Sequence, residues 1–90
     1  MQVDQLIWTS KTMDKLTKKH HLTPEEVEEV FDRKVLIRRS GRVYHFYGQD
    51  RTDRYLLVVL IPLGKSRWQV VTARDMTQTE RRLYLRTQRR

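Results

Sequence analysis

A run of apolar residues in the second half of the chain most constrains what this sequence can fold into. The segment Leu56 to Ile61 contains no polar residue. Because successive side chains of a strand point to opposite faces of a sheet, the run predicts a central strand, from Arg54 to Ile61, that is covered on both faces. Pro62 to Ser66 predicts a turn, and Arg67 to Arg74 is expected to return antiparallel beside the central strand.

A second pair of strands precedes this one. Val35 to Arg39 and Arg42 to Tyr47 are rich in β-branched and aromatic residues, and the turn Ser40-Gly41 joins them, which predicts a β-hairpin. Leu6 to Trp8 is a short apolar opening that would also suit a strand, but the predicted sheet does not include it. The sheet is therefore expected to have four strands and to be mostly antiparallel.

Helices are predicted where capping residues precede amphipathic segments. Thr9 or Ser10 can cap a first helix that runs to about His20. A second helix is predicted from Pro24 to Asp32, because Thr23 can cap it, proline suits its first turn and Glu26 closes a capping box. The spacing of Thr77 and Glu80 repeats the capping-box pattern and predicts a C-terminal helix.

These elements predict one α+β domain over residues 1–90, with two N-terminal helices and one C-terminal helix packed on the sheet. Residues 86–90 are expected to fray as a tail.

The charge of the chain predicts an anionic partner. It has 19 basic and 11 acidic residues and a net charge of +8. Residues 23–32 hold five acidic and no basic residues, which leaves +13, that is +8 minus −5, on the remainder. Such a basic surface suits a polyanion such as RNA, whereas the acidic helix would repel it. For the basic surface the alternative is ordinary solubilising charge. The acidic helix could instead face solvent, a basic partner protein or a second copy of the chain.

Several other classes of protein are disfavoured by composition. The chain has no cysteine and three histidines, which excludes disulfides and thiolate metal sites and predicts neither a metal site nor a cofactor. The first residues lack the pattern of a signal peptide, and the longest apolar run is too short to cross a bilayer. We therefore expect a cytoplasmic protein without a membrane partner.

Arg74 is the strongest candidate for an anion contact. It is predicted at the end of the last strand, where a side chain is held by the sheet and still reaches solvent. Its guanidinium can bind two phosphate oxygens at once. The alternative is a salt bridge to Asp75 or to the acidic helix.

Several segments together resemble the BrnT toxin family over nearly the whole chain. They are Ile7-Trp8, Lys19 to Phe31, Gly48, Leu56 to Val59, Thr72 to Thr77, and Glu80-Arg81 with Tyr84. The resemblance implies a fold similar to the RelE ribonuclease toxins and the role of toxin in a type II toxin–antitoxin pair. It also implies RNA cleavage that blocks translation and a BrnA-like antitoxin with a ribbon-helix-helix part.

The chain departs from the family pattern at two places. It has Arg42-Val43 where the family often has Glu-Arg, and Gln69 where the family has a basic residue in the last strand. The alternative to a nuclease is therefore a non-catalytic, degenerate RelE-like module that binds RNA or protein.

Metal-free RNA cleavage uses the 2′-hydroxyl of the substrate as nucleophile, and it needs an acid or base and a cation. Arg74 is predicted to stabilise the phosphate charge. Tyr84 could stack on a base or relay a proton, or else anchor its helix in the core. His45 could act as acid or base, or be a strand histidine hydrogen-bonded among Tyr44, Tyr47 and arginines. His20 matches the Lys-His pair of the family, or it stabilises the C-terminus of its helix.

Basic residues along the chain are candidates for contacts to the RNA backbone, with ordinary solubilising charge as the alternative for each. They are Lys15, Lys19, Arg38, Arg39, Arg42, Arg54 and Arg81.

Overall fold

The computed structural model describes residues 3–88, which form five strands and three α-helices. The strands are β1 (Gln5–Ile7), β2 (Leu36–Ser40), β3 (Val43–Gln49), β4 (Tyr55–Gly64) and β5 (Arg67–Asp75). The helices are α1 (Ser10–His20), α2 (Pro24–Glu29), which a 3-10 turn at Val30–Asp32 extends, and α3 (Gln78–Gln88).

The five strands form one mixed sheet in the order β1-β5-β4-β3-β2. β1 pairs parallel with β5, with Leu6 opposite Trp68, and the other neighbours are antiparallel. The predicted α+β class is confirmed, but the predicted four-stranded sheet is wrong because β1 adds a fifth strand. A three-residue segment is too short to show a strand period, so only its pairing with the edge of β5 reveals it.

The helices also differ in detail from the prediction. β1 precedes them, and α2 ends at Glu29 instead of Asp32, because the chain tightens there into the 3-10 turn. α3 continues through Gln88, so the part of the expected tail that is described is helical, while residues 89 and 90 lie outside the described residues.

Both capping boxes form as their spacing predicts. The amide of Glu26 donates to Oγ1 of Thr23 at 3.2 Å, and the amide of Thr23 donates to Oε1 of Glu26 at 3.0 Å. The same exchange joins Thr77 and Glu80 at 2.8 and 3.2 Å. Each box satisfies amides that would otherwise lack partners at the start of a helix, so the starts of α2 and α3 are set locally.

β4 lies at the centre of the sheet and is covered on both faces, as its composition predicts. Alternate side chains of Leu56 to Leu60 enter two separate cores. The first core lies between the sheet and the helices α1 and α2, on the face that we call the α1/α2 face. Its buried residues are Leu16, Leu22, Val27, Val30, Phe46, Leu56, Val58, Leu60, Trp68, Val70 and Ala73. The second core lies against α3 on the opposite face, the α3 face: Tyr47, Leu57, Val59, Met76 and Tyr84.

The helices of the described residues do not have the length and hydropathy that a membrane span requires.

Candidate nucleic-acid interface

α3 covers only part of its face of the sheet. It packs over a row of paired residues that runs Leu36, Tyr47, Leu57 across β2, β3 and β4 and ends at Arg74 on β5. The next row runs Arg38, His45, Val59, Thr72. In that row Arg38 is exposed, and His45 and Thr72 are half-buried. We call these three residues the open row, because their side chains reach solvent beside the edge of the second core.

Arg74 lies beside the open row, two residues after Thr72 on the same strand and on the same face. Its side chain is 38% exposed. Nη1 and Nη2 donate to the two carboxylate oxygens of Glu80 at 2.8 and 3.0 Å, and Nη1 also donates to the backbone oxygen of Asp75 at 3.0 Å. The alternative to phosphate contact, a salt bridge, is thus present, but its partner is Glu80 and not the side chain of Asp75 or the acidic helix.

This pair links the end of the sheet to the start of α3. The Glu80 carboxylate accepts from Arg74 and from the amide of Thr77 at the same time. The hydrogen bonds from Arg74 lower the pKa of Glu80, and those to Glu80 raise the pKa of Arg74. Both groups are therefore charged at neutral pH. Within the described residues, Nε–H and the second N–H of Nη2 of Arg74 carry no hydrogen bond.

His45 is the imidazole on this face. It lies in the middle of β3, between Arg38 on β2 and Val59 on β4. Tyr44, an alternative hydrogen-bond partner in the sequence reasoning, points to the other face, where its ring packs against Trp68 with centroids 5.0 Å apart. His45 thus shares one surface with Arg38 and lies one row away from Arg74.

Tyr84 takes the place of a core anchor. Its side chain is 3% exposed, and its ring packs edge-on against Tyr55 with centroids 6.1 Å apart. Burial raises the pKa of its hydroxyl, which lies 3.5 Å from the backbone oxygen of Lys34. A ring enclosed in this way favours the helix-anchor interpretation of Tyr84 over stacking on a base.

His20 and the α1 lysines lie on the opposite side of the sheet from His45. Leu16 of the same helix belongs to the core of the α1/α2 face. Lys15 and Lys19 are exposed on this helix, and His20 is its last residue. The placement of His20 agrees with the alternative role at the helix C-terminus, and these three residues do not join Arg74 and His45.

Arg54 is a structural residue rather than a free cation. Nε and Nη2 donate to the two carboxylate oxygens of Asp75 at 2.7 and 2.9 Å. Nη2 and Nη1 also donate to the backbone oxygens of His20 and His21 at 2.9 and 3.0 Å. Glu26 approaches Nη1 at 3.7 Å. The donors of Arg54 thus join β5 to the end of α1, which favours a structural role over the predicted RNA contact.

The remaining predicted contacts are spread around the β2–β3 hairpin and α3. Arg38 belongs to the open row, and Arg42 is exposed at the hairpin turn. Arg39 points to the other face, where it lies 5.3 Å from the ring centre of Tyr44. Arg81 lies 4.3 Å over the ring of Tyr55, on the same side as Arg74.

The pairing of Glu80 with Arg74 is not among the predictions from the sequence, which place Glu80 only in the capping box. That box puts its carboxylate shortly after the strand that carries Arg74. A capping glutamate shortly after a strand-end arginine is a signal that could have predicted the pair. Within residues 3–88, no group of three or more histidine and acidic side chains is arranged to hold a metal ion.

Comparison with known proteins shows a likeness in fold. No protein-family model matches the chain, and no curated protein matches it in sequence. Among solved structures, the chain is similar to the ribonuclease toxin BrnT of Brucella abortus, with a TM-score of 0.65 and 19% sequence identity. The match covers 83% of this chain and 100% of that chain. At this identity the likeness shows a BrnT-like α+β fold.

Proposed function

We propose that this protein is the toxin of a type II toxin–antitoxin pair and a metal-independent endoribonuclease whose cleavage of RNA inhibits translation. The proposal is carried by one observation: Arg74, His45 and Arg38 reach solvent on the same face of the sheet, in two neighbouring rows. The net charge of +8 and the fold likeness to a protein described as a ribonuclease toxin support it. The protein partner that we propose is an antitoxin of the BrnA-like ribbon-helix-helix kind, which the resemblance in sequence implies.

The chemistry needs a cation and a proton acceptor beside one phosphate. The 2′-hydroxyl oxygen attacks the adjacent phosphorus while the imidazole of His45 accepts its proton. The free N–H groups of Arg74 stabilise the negative charge that builds on the phosphate oxygens. The bond to the 5′ oxygen then breaks and this oxygen takes a proton from water. The hydroxide that forms takes the proton from His45, so that the base is regenerated and a 2′,3′-cyclic phosphate and a 5′-hydroxyl remain. Arg38 holds the neighbouring backbone.

Glu80 has a positioning role in this scheme. It fixes the Arg74 side chain through two hydrogen bonds and leaves Nε–H and the second N–H of Nη2 for the phosphate. A guanidinium held in advance loses less conformational entropy when the substrate binds.

The test is cleavage of a defined RNA by purified protein in the presence of EDTA. Wild type should produce fragments that end in a 2′,3′-cyclic phosphate. Arg74→Lys keeps the charge but loses the planar fork, so we expect cleavage to fall by about tenfold or more. His45→Gln should lower cleavage by at least about a hundredfold. Arg82→Lys is the matched control, because Arg82 is an exposed arginine of α3.

Two results of this assay would contradict the proposal. Intact RNA after incubation with folded wild-type protein would reject the enzyme. Equal cleavage by wild type and Arg74→Lys would reject the assigned site. In cells, expression of wild type should arrest growth, and His45→Gln should relieve the arrest.

A second candidate function is a non-catalytic module that binds RNA or protein. The observation that favours it is the occupied fork of Arg74, together with Gln69 in the strand where the family has a basic residue. In that case a labelled RNA would bind with steep salt dependence and remain intact, and expression would leave growth unchanged.

A further inference from the structure

Three concave surfaces of the described residues lie around α2 and the 3-10 turn, away from the open row. The first is a groove of about 350 Å³ between β1 and α2, lined by Val3 to Leu6, Glu28, Phe31 and Asp32. The second has a volume of about 420 Å³ and shares Val3 and Phe31 with the first. Since they share these two residues, the two grooves are neighbours on either side of shared lining, and we refer to them together as the depression.

The floor of this depression is apolar. In the second groove Phe31 is joined by Val35, Ile37 and Phe46. The rings of Phe31 and Phe46 pack edge to face with centroids 5.2 Å apart, so the floor is a formed surface. Ile37 is 37% exposed although it is large and aliphatic. A large apolar side chain of a binding partner would therefore gain free energy by packing on this floor, because both apolar surfaces would leave water.

The rim at the α2 end is acidic. A third depression of about 250 Å³ adjoins the first and is lined by Glu25, Glu28, Glu29, Asp32 and Arg51. Arg51 is 75% exposed and approaches Glu29 and Asp32 only at 3.9 and 3.7 Å. Pairs of this length and exposure contribute little, so four carboxylates against one guanidinium give this rim a negative potential.

The other end of the depression is less acidic. Arg33 and Lys34 line the second groove. Arg33 is paired with Asp53 at 2.8 Å and donates to the backbone oxygen of Asp50 at 2.9 Å. An occupant therefore meets negative charge at α2 and an apolar floor beyond Phe31.

We propose that this depression binds a cationic, amphipathic segment of a partner protein. Lysine or arginine side chains of the segment lie over Glu28 and Asp32, and a large apolar side chain packs beside Phe31 and Ile37. RNA is the wrong occupant because the rim carboxylates repel phosphate. The inference rests on the proposed function for the existence of a protein partner, and it adds where that partner binds. It requires no nuclease activity, so loss of the cleavage proposal would leave it standing.

A second copy of this chain fits less well than a different protein. A second copy would have to place one of its basic surfaces against the acidic rim of the first. The contact would then join two different surface patches of the same protein. Such head-to-tail contacts do not close between two copies and lead to open chains or larger rings.

The experiment uses the full chain and a short capped peptide that alternates lysine with leucine as the probe. Its affinity is measured by calorimetry, and the amide shifts of the protein map the contact by NMR. Glu28→Lys and Asp32→Lys should each weaken binding by about fivefold to tenfold. Asp14→Lys is the matched control, because Asp14 is exposed on α1 and lines none of the three depressions. Ile37→Thr keeps a β-branched residue in β2 and should weaken binding about threefold through its loss of apolar contact.

The proposal stands if the shifts centre on residues 28–32 and 37 and if only the groove variants weaken binding. It is overturned if folded wild type does not bind the peptide, or if Asp14→Lys weakens binding as much as Glu28→Lys, since net charge alone would then explain the affinity. It is also overturned if sedimentation shows self-association of wild type that Glu28→Lys abolishes, because the occupant would then be a second copy.

Discussion

The ion pair between Arg74 and Glu80 should stabilise the fold by a measurable amount. Two hydrogen bonds of 2.8 and 3.0 Å join a guanidinium that is 38% exposed to a carboxylate that is 21% exposed. Fully exposed pairs contribute about 0.2–1 kcal/mol, and removal of one partner from a fully buried pair costs about 3–5 kcal/mol. The two-point geometry raises the value, and solvent screening lowers it. We expect a coupling free energy of about 1 kcal/mol, near the upper end for exposed pairs.

A double-mutant cycle measures this coupling. The free energy of unfolding in urea is determined for wild type, Arg74→Gln, Glu80→Gln and the double variant. Glutamine at position 80 keeps an oxygen that can accept from the amide of Thr77, so the capping box survives and the cycle isolates the ion pair. The same cycle with Arg82→Gln in place of Arg74→Gln is the control, and we expect no coupling there. A coupling below about 0.3 kcal/mol for the Arg74 cycle would lie within ordinary additivity error and would refute the reasoning.

The dependence of this coupling on pH follows from the lowered pKa of Glu80. Because Arg74 favours the charged carboxylate, the folded protein binds the Glu80 proton less tightly than the unfolded chain does. The contribution is therefore complete above the ordinary pKa of 4.5 and is lost as the pH falls through the lower, folded value. The coupling should be the same at pH 6 and pH 8 and should disappear in strong acid. An unchanged coupling in strong acid would show that charge is not its origin.

Three further predictions concern single positions. Arg54→Gln should lower the free energy of unfolding by about 2–3 kcal/mol, since it leaves a carboxylate and two carbonyl oxygens without their donor, whereas Arg38→Gln should leave stability unchanged and weaken RNA binding in a filter assay. Gly48→Ala should destabilise by about 1–3 kcal/mol in urea unfolding, because its Cβ would lie 2.7 Å from Cγ1 of the buried Val30. Tyr84→Phe should cost less than about 1 kcal/mol and leave RNA cleavage at the wild-type rate, because the buried hydroxyl makes only one long hydrogen bond of 3.5 Å.

Equal losses of RNA affinity in Arg54→Gln and Arg38→Gln would contradict the structural role of Arg54. A stable Gly48→Ala protein would mean that Val30 can move aside. Lost cleavage in a stable Tyr84→Phe protein would return that hydroxyl to the site.

Local signals in the sequence predicted most of the elements. Capping boxes act within a single turn, so the starts of α2 and α3 could be predicted from Thr23 and Thr77 and their partners. The unbroken apolar run of β4 required cover on both faces and therefore helices on both sides of a sheet. These features depend on residues that are close in sequence, so they can be predicted without knowledge of the tertiary structure.

The candidate site depended on information of a different kind. Whether His45 and Arg74 share a face depends on which residues pair between β3 and β4 and between β4 and β5, where a bulge also shifts the register. The sequence does not contain that register as a local pattern. The sequence does not show which basic residues share a face. Strand pairing and helix placement put Lys15, Lys19 and Arg39 on the α1/α2 face and Arg38 on the other.

The sequence by itself determined the α+β class, the central strand, the capped helices and the excess of positive charge, because each follows from composition or from neighbours within a few residues. Only the tertiary structure decided that a fifth strand joins the sheet, that Glu80 holds Arg74, and that Arg54 is consumed in holding Asp75. The physical reason is that strand order and packing bring these parts of the chain together. The spacing of residues in the sequence carries no information on either.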